Sequence, residues 1–309
     1  MSWSLPTGKC TSGISFGSFG ELLQGVLPGD GDFLVTLPIE KYAVAHFFPC
    51  EGSEAIDVFP AWKTKSQQLA GNLLRKYRRG TGGQLYLASE IPCGKGLSSS
   101  SADLVATARA IESYLGIRIP MDELCRRLSE VEPTDGVMFP ESVTYFHVKG
   151  ALCERLGILP QVEILSLDEG GHVDTLECHR REVTHRARER TLEFRPLLDR
   201  LRDAFQRHVL QEIGAVSTRS AFINQEVNPK KNLELVHSVC KETGGAGLIT
   251  THSGTCIGIL YDNTRPGHRD NLSRAAAELR PYGQVNVYAT IKRPIERADS
   301  VDWRHFAPA

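Results

Sequence analysis

Pro92-Cys93-Gly94-Lys95-Gly96-Leu97-Ser98-Ser99-Ser100-Ser101-Ala102-Asp103 stands between a strand pattern ending near Ile91 and a helix pattern that runs on from Asp103. The two glycines let the backbone approach a ligand closely and take conformations that side chains resist. The serines fall at the predicted helix start, where unpaired N–H groups and the positive end of the helix dipole face outward. A glycine-rich loop opening onto a helix N-terminus is an anion site, and phosphate is the usual anion. Neither G-x-x-x-x-G-K-[ST] nor G-x-G-x-x-G is present, so the loop is neither a Walker loop nor a dinucleotide fingerprint. Four consecutive serines exceed what capping requires, which favours a ligand over a mere cap.

On the N-terminal side of this loop the chain reads as strands and turns. Phe33–Leu37 and Tyr42–Phe48 are strand-like, and Gly29-Asp30-Gly31-Asp32 is a hairpin turn signal. Leu69, Leu73 and Tyr77 recur at helical spacing, and Leu85 and Leu87 alternate with polar neighbours as in a half-buried strand. On its C-terminal side, Leu104, Ala108, Ile111 and Leu115 mark one helix face, closed by Gly116. A second helix starts at Pro120, carries Leu124, Leu128 and Val131, and ends before Pro133.

The pattern loosens around Gly150 to Pro160, which predicts two domains, residues 1–155 and 156–309. The second opens with strands Val162–Leu167 and His172–Leu176 about the turn Asp168–Gly171. A helix follows through Leu197, Leu198, Leu201, Phe205 and Val209, then another through Leu233, Val236 and Val239. Strand Cys256–Tyr261, helix Asp270–Leu279 and a last strand with Val285, Val287, Ala289 and Ile291 on one face complete the chain. There is no internal repeat. The mixture of hairpins and helices predicts an α+β fold rather than a doubly wound parallel sheet.

Two further segments carry chemistry. In Glu130-Val131-Glu132-Pro133-Thr134-Asp135 a helix stops at a proline, and Glu132 and Asp135 flank the break. Mg²⁺ in phosphoryl transfer takes one or two carboxylates together with phosphate oxygens, and a separate carboxylate can accept the proton of an attacking hydroxyl. Alone, the segment favours helix-end capping, since Asp near a helix end is usually a cap. Gly244-Gly245-Ala246-Gly247, followed by His252-Ser253-Gly254-Thr255, is a small-residue loop between a helix and a strand.

Composition excludes several classes. The 309 residues, 41% hydrophobic and 24% charged, have the balance of a folded globular protein rather than a disordered one. With 36 Lys and Arg against 37 Asp and Glu and 7% aromatic residues, the chain is not built to coat nucleic acid or an anionic membrane. Arg180 to Arg195, with six arginines and three glutamates, reads as a solvated, salt-bridged surface stretch. No run reaches the roughly 18 apolar residues of a membrane helix, and Met1 to Pro6 lacks the pattern of a secretion signal. The eight cysteines are scattered singly, as in a reduced cytoplasmic protein. His172, Cys178, His179 and His185 are too irregular for a zinc site.

Taken in order, these segments resemble the GHMP kinases, the galactokinase, homoserine, mevalonate and phosphomevalonate kinase superfamily. Pro92-x-x-x-Gly96-Leu97-x-Ser99-Ser100 is similar to that family's phosphate-binding motif. The narrower likeness is to the L-threonine kinases of cobalamin side-chain synthesis, found alongside propanediol utilisation. It rests on Gly20-Glu21-Leu22-Leu23-Gln24-Gly25, on Gly94-Lys95-Gly96 with Ala102-Asp103, on Glu132-Pro133-Thr134-Asp135, and on His252-Ser253-Gly254-Thr255.

The resemblance implies an N-terminal domain like domain 2 of ribosomal protein S5 joined to a ferredoxin-like C-terminal domain. It implies ATP bound over Pro92, Gly94, Lys95, Gly96, Leu97, Ser98, Ser99, Ser100 and Ser101, with Lys95 near the β- and γ-phosphates. By the same likeness Ser100 and Glu132 are ligands of Mg²⁺, with Ser99 the alternative to Ser100, and Asp135 is the catalytic aspartate. Glu21, His252, Ser253, Gly254 and Thr255 fall at the substrate. The implied partner is a small alcohol, L-threonine or similar, with no nucleic acid and no membrane; a homodimer is allowed for. Another hydroxy amino acid, a specialised metabolite, or a binding or regulatory module without catalysis are the alternatives. One departure stands out: Ser15-Phe16-Gly17-Ser18-Phe19-Gly20 has no lysine where many superfamily members carry one.

Overall fold

A computed structural model describes residues 10–78, 80–159, 161–171 and 191–292. Its spine is the hairpin of β1 (Thr11–Leu27) and β2 (Gly31–Glu51), which turns where Gly29 and Gly31 take φ of 82° and 103°. Both strands are buried over most of their length, and their sequences lack a clean alternation because helices cover both faces. The ladder between them is irregular from Phe16 to Leu23, where Ser18 N–H donates to Leu97 O of the glycine-serine loop.

β3 (Ile56–Phe59), α1 (Thr64–Tyr77), β4 (Thr81–Ser89), α2 (Ser99–Leu115), α3 (Met121–Ser129), β5 (Ser142–Phe146) and β6 (Ala151–Gly157) complete the first half. β7 (Val162–Asp168), α4 (Thr191–Gln206), α5 (Leu210–Asn224), α6 (Leu233–Glu242), β8 (Gly247–Thr250), β9 (Cys256–Asp262), α7 (His268–Leu279) and β10 (Gln284–Ala289) form the second. One ten-stranded sheet runs β10-β7-β9-β8-β1-β2-β4-β3, with β5 beside β2 and β6. Among the described strands only β3 and β4 pair in parallel, so the expected α+β class holds. The halves of the sheet join through the ladder pair of Glu21 on β1 with Thr250 on β8 and through a bridge between Ile39 and Thr290.

Three cores follow from this layering. Phe47, Leu85 and Leu87 pack under Leu69, Leu73, Leu104, Ala108 and Ile111, the helical repeats anticipated for α1 and α2. On the other face Phe19, Leu23, Phe33 and Val35 meet Phe194, Leu198 and Leu201 of α4 and Ile213 and Val216 of α5. A third core lies between β7 to β9 and helices α6 and α7.

Several expectations shift. Val209 does not continue the helix of Leu197 to Phe205: His208 takes φ of 54°, the chain turns, and Val209 precedes α5. α5 has no legible sequence signal, since its buried side includes Gly214, Ser217, Ser220 and Asn224 as well as apolar residues. Val287 is 47% exposed, whereas Tyr288 on the opposite face of β10 packs on Phe19 with ring centroids 5.5 Å apart. Ile291 lies past β10 and joins the first core. The strand expected at His172–Leu176, the irregular His and Cys group from His172 to His185, and Arg180 to Arg190 lie outside the described residues. Beyond them, Arg195 pairs with Asp30 at 3.0 Å and Glu193 with Arg219 at 2.6 Å, all four partly exposed. No helix among the described residues is long and apolar enough to cross a membrane.

β1 and α2 approach closely at Gly13, where a Cβ would fall 2.8 Å from the carbonyl carbon of Arg109 and closer still to the backbone of Ala106 and Ala110. Gly13→Ala therefore forces the strand off the helix, and overpacking of this kind costs about 1–3 kcal/mol. Chemical denaturation should show a lower midpoint; an unchanged midpoint would mean that the two elements separate without cost.

Candidate phosphoryl-transfer site

α2 starts at Ser99 because Ser98, its cap, holds the left-handed conformation at φ 61°, between Gly96 at 73° and the helix. Ser98 makes no capping bond to the helix. Its hydroxyl instead donates to Asp135 Oδ2 at 2.6 Å and contacts the Ser18 hydroxyl from β1. Ser101 Oγ accepts from the Asp135 backbone N–H at 3.1 Å, and Ser100 Oγ donates to Glu132 Oε1. The serines therefore carry the acidic segment 132–135 over the first turn of α2, whose N–H groups lack intrahelical partners. Ser99 makes no such link among the described residues, so the hydroxyl beside Glu132 is that of Ser100.

Cations arrive from an element that no motif covered. Lys65 in the first turn of α1 pairs with Glu132 Oε2, and Lys63, just before it, pairs with Asp103 Oδ2. Lys63 and Asp103 are both buried, and Asp103 Oδ1 finds no partner among the described residues. Burial pushes the Asp103 carboxyl up to about 6, against the pull of Lys63. These lysines stand beside the loop and first turn that open α2, although the Ser15–Gly20 segment carries none.

The loop after β8 closes the other side. Gly96 sits against Thr251, whose Cβ would lie 2.6 Å from an added Cβ, and against Gly254. Gly254 in turn lies against Lys95 and the Gly96 nitrogen, 2.5 Å from an added Cβ. His252 N–H donates to Glu21 Oε2 at 3.1 Å, so the predicted substrate residues Glu21 and His252 meet across the sheet junction. Asn228 Nδ2 donates to His252 O at 2.7 Å and Gly254 O at 3.1 Å, and Lys230 Nζ donates to Gly254 O. Lys95 extends from the loop with its ammonium 2.8 Å from Asp168 Oδ2.

Residues 92–101, Glu132, Asp135 and 252–255 are thus neighbours. Sequence reasoning missed Lys63, Lys65, Asp168, Asn228 and Lys230. The Trp62-Lys63-Thr64-Lys65 and Pro229-Lys230-Lys231 stretches carry no motif, and only the fold brings them to the loops. No group of three His, Cys, Asp or Glu able to hold a metal occurs among the described residues. Glu132 and Ser100 supply a carboxylate and a hydroxyl side by side, hard oxygen donors that suit Mg²⁺ when phosphate completes its shell.

The contact of Gly254 with Lys95 and Gly96 makes a local prediction. Gly254→Ala should wedge the two loops apart at a cost of about 1–3 kcal/mol. Hydrogen exchange should accelerate at the amides of 95–97 and 252–255; protection equal to wild type would show that this contact does not hold the loops.

Residues 65–139 match the family described as the GHMP kinases N terminal domain. An L-threonine kinase from Citrobacter freundii is 25% identical over 248 residues, covering 80% of this chain and 85% of that protein. A homoserine kinase structure from Cytophaga hutchinsonii superposes with a TM-score of 0.69 at 12% identity, covering 94% of this chain and 96% of the other. The mevalonate diphosphate decarboxylase of Staphylococcus aureus does so with a TM-score of 0.70 at 12% identity over 92% and 96%. Kinases and a decarboxylase thus share the fold, which by itself does not choose the reaction. In its matched domain, its curated relative and its fold, this chain is similar to the GHMP kinases.

Proposed function

We propose that this protein is an ATP-dependent kinase that phosphorylates the hydroxyl of a small molecule, with L-threonine as acceptor and O-phospho-L-threonine and ADP as products. The observation that carries the reading is the convergence of Ser98, Ser100 and Ser101 with Glu132 and Asp135 at the N-terminus of α2. L-threonine as acceptor is supported by the likeness to the Citrobacter enzyme over four fifths of the chain. In this reading residues 1–155 form the ATP-binding part and 156–309 the remainder.

The chain's own groups divide the work. The N–H groups and dipole of the first turn of α2, with the backbone of Gly94 to Ser98, receive the phosphates. Lys65, Lys95 and the buried Lys63 surround that loop with positive charge. Ser100 and Glu132 would hold Mg²⁺, which neutralises charge on the phosphate oxygens when bound. Asp135 already accepts a hydrogen bond from the Ser98 hydroxyl, and the same carboxylate takes the proton of the acceptor as its oxygen attacks the γ-phosphorus and the bond to ADP breaks. Glu21, held at the His252 N–H, is the candidate partner of the substrate ammonium.

The deciding experiment is a panel of hydroxylated amino acids and alcohols incubated with MgATP, with ADP release and product mass measured. L-threonine should lead the panel. ADP formed with another acceptor alone would keep the kinase and discard threonine, and no ADP with any acceptor would discard the kinase.

Two substitutions separate the acids. Glu132→Gln removes the charge that attracts Mg²⁺ and should raise the Mg²⁺ requirement while lowering turnover; normal activity at low Mg²⁺ would leave Glu132 as a brace for Ser100 and Lys65. Asp135→Asn should lower kcat by about 10²–10⁴-fold, the usual contribution of a general base, with nucleotide affinity unchanged. A reduced Tm with unchanged kcat would instead make Asp135 a cap for the serines of α2.

A further inference from the structure

Asp168 ends β7, outside every motif read from the sequence, yet it joins both loops of the site. Its Oδ2 lies 2.8 Å from Lys95 Nζ in the phosphate loop. Its Oδ1 accepts from the Thr255 hydroxyl at 2.6 Å in the opposite loop and from the Gly170 N–H at 3.0 Å. The Asp168 side chain is 8% exposed and that of Lys95 21%, so water screens the pair only in part. Burial pushes the Asp168 carboxyl up, but the Lys95 ammonium, the Thr255 hydroxyl and the Gly170 N–H outweigh it and hold the group below its ordinary value.

An ammonium has three N–H donors. Lys95 gives one to Asp168 and one to Gly171 O at 3.1 Å. A polyphosphate over residues 94–101 therefore meets a lysine whose charge is already shared with a carboxylate. We propose that Asp168 is a positioning residue that competes with the nucleotide for Lys95, holding the ammonium before the nucleotide arrives and limiting how tightly ATP is bound. When Lys95 turns toward phosphate, Asp168 keeps its bonds to Thr255 and Gly170, so the opposite loop stays in register. The inference rests on the reading of residues 92–101 as an ATP phosphate loop.

The sign of the effect distinguishes this role from a structural one. Asp168→Asn keeps the size of the side chain and an acceptor for Thr255 but removes the charge that holds Lys95. MgATP binding, measured by calorimetry without acceptor, should tighten by about three- to tenfold, the range for releasing a partly buried ion pair. Damage to the fold would weaken binding. In a Lys95→Gln background, which itself should bind ATP more weakly than wild type, Asp168→Asn should leave the affinity within about twofold, because the two residues act through one contact. Should Asn not be tolerated, as judged by Tm, Asp168→Ser offers a smaller neutral acceptor and the same expectation.

Equal or weaker ATP binding by a folded Asp168→Asn protein overturns the proposal. So does the same tightening without Lys95, which would mark a general charge effect. Wild-type affinity in Lys95→Gln alone overturns it too, while leaving the ATP loop standing. A wild-type protein that binds no ATP fails the reading of the loop, and the proposal falls with it.

Discussion

Two backbone segments from opposite halves of the chain touch where neither has a side chain. Gly96 and Gly254 approach until a Cβ on either would strike the other loop, and this contact brings the N-terminus of α2 against the loop after β8. The rest of the site depends on it. Lys95 reaches Asp168 because the loop is held there, and Gly254 can offer its carbonyl to Lys230 and Asn228 because its other face is packed. A left-handed Gly96 is part of the same constraint, since a side chain there would be strained in conformation as well as crowded by Thr251.

The layering makes that contact reproducible. β1 belongs to the first hairpin, pairs with β8 at Glu21, and is covered by α4 and α5 from the second half. Burial of Phe19, Leu23 and Phe33 against Phe194 and Leu198 thus fastens the two halves at the place where the functional loops meet. Hydrophobic packing gives the scaffold its stability without direction, and hydrogen bonds of defined geometry at the loops give the site its shape.

Three ion pairs stand in the site: Lys63 with Asp103, Lys65 with Glu132, and Lys95 with Asp168. Each pair places one member on α2, its loop or the acidic segment and takes the other from a distant element. Ion pairs of this kind cost desolvation when buried, and Asp103 shows it in its raised pKa. Each pair holds its cation in place beside the loop and first turn of α2.

The residues alone determined the class of fold and most of the elements, and they singled out the 92–101 loop as a candidate anion site. Those features are written in local signals: glycines and serines before a helical repeat, Gly116 after one, alternation at Leu85 and Leu87, a proline between Glu132 and Asp135. Local signals also failed in physically intelligible places. α5 is buried through glycine, serine and asparagine, so its periodicity is faint, and β10 buries Tyr288 because Phe19 awaits it rather than because its own pattern demands it. Only the tertiary structure decided which cations attend the loop, that the serines bond to acids instead of capping, and that Asp168 stands between Lys95 and Thr255. Contacts between residues 37 to 87 positions apart leave no periodic trace in one sequence, because each partner obeys the local rules of its own element and meets the other only when the sheet is assembled.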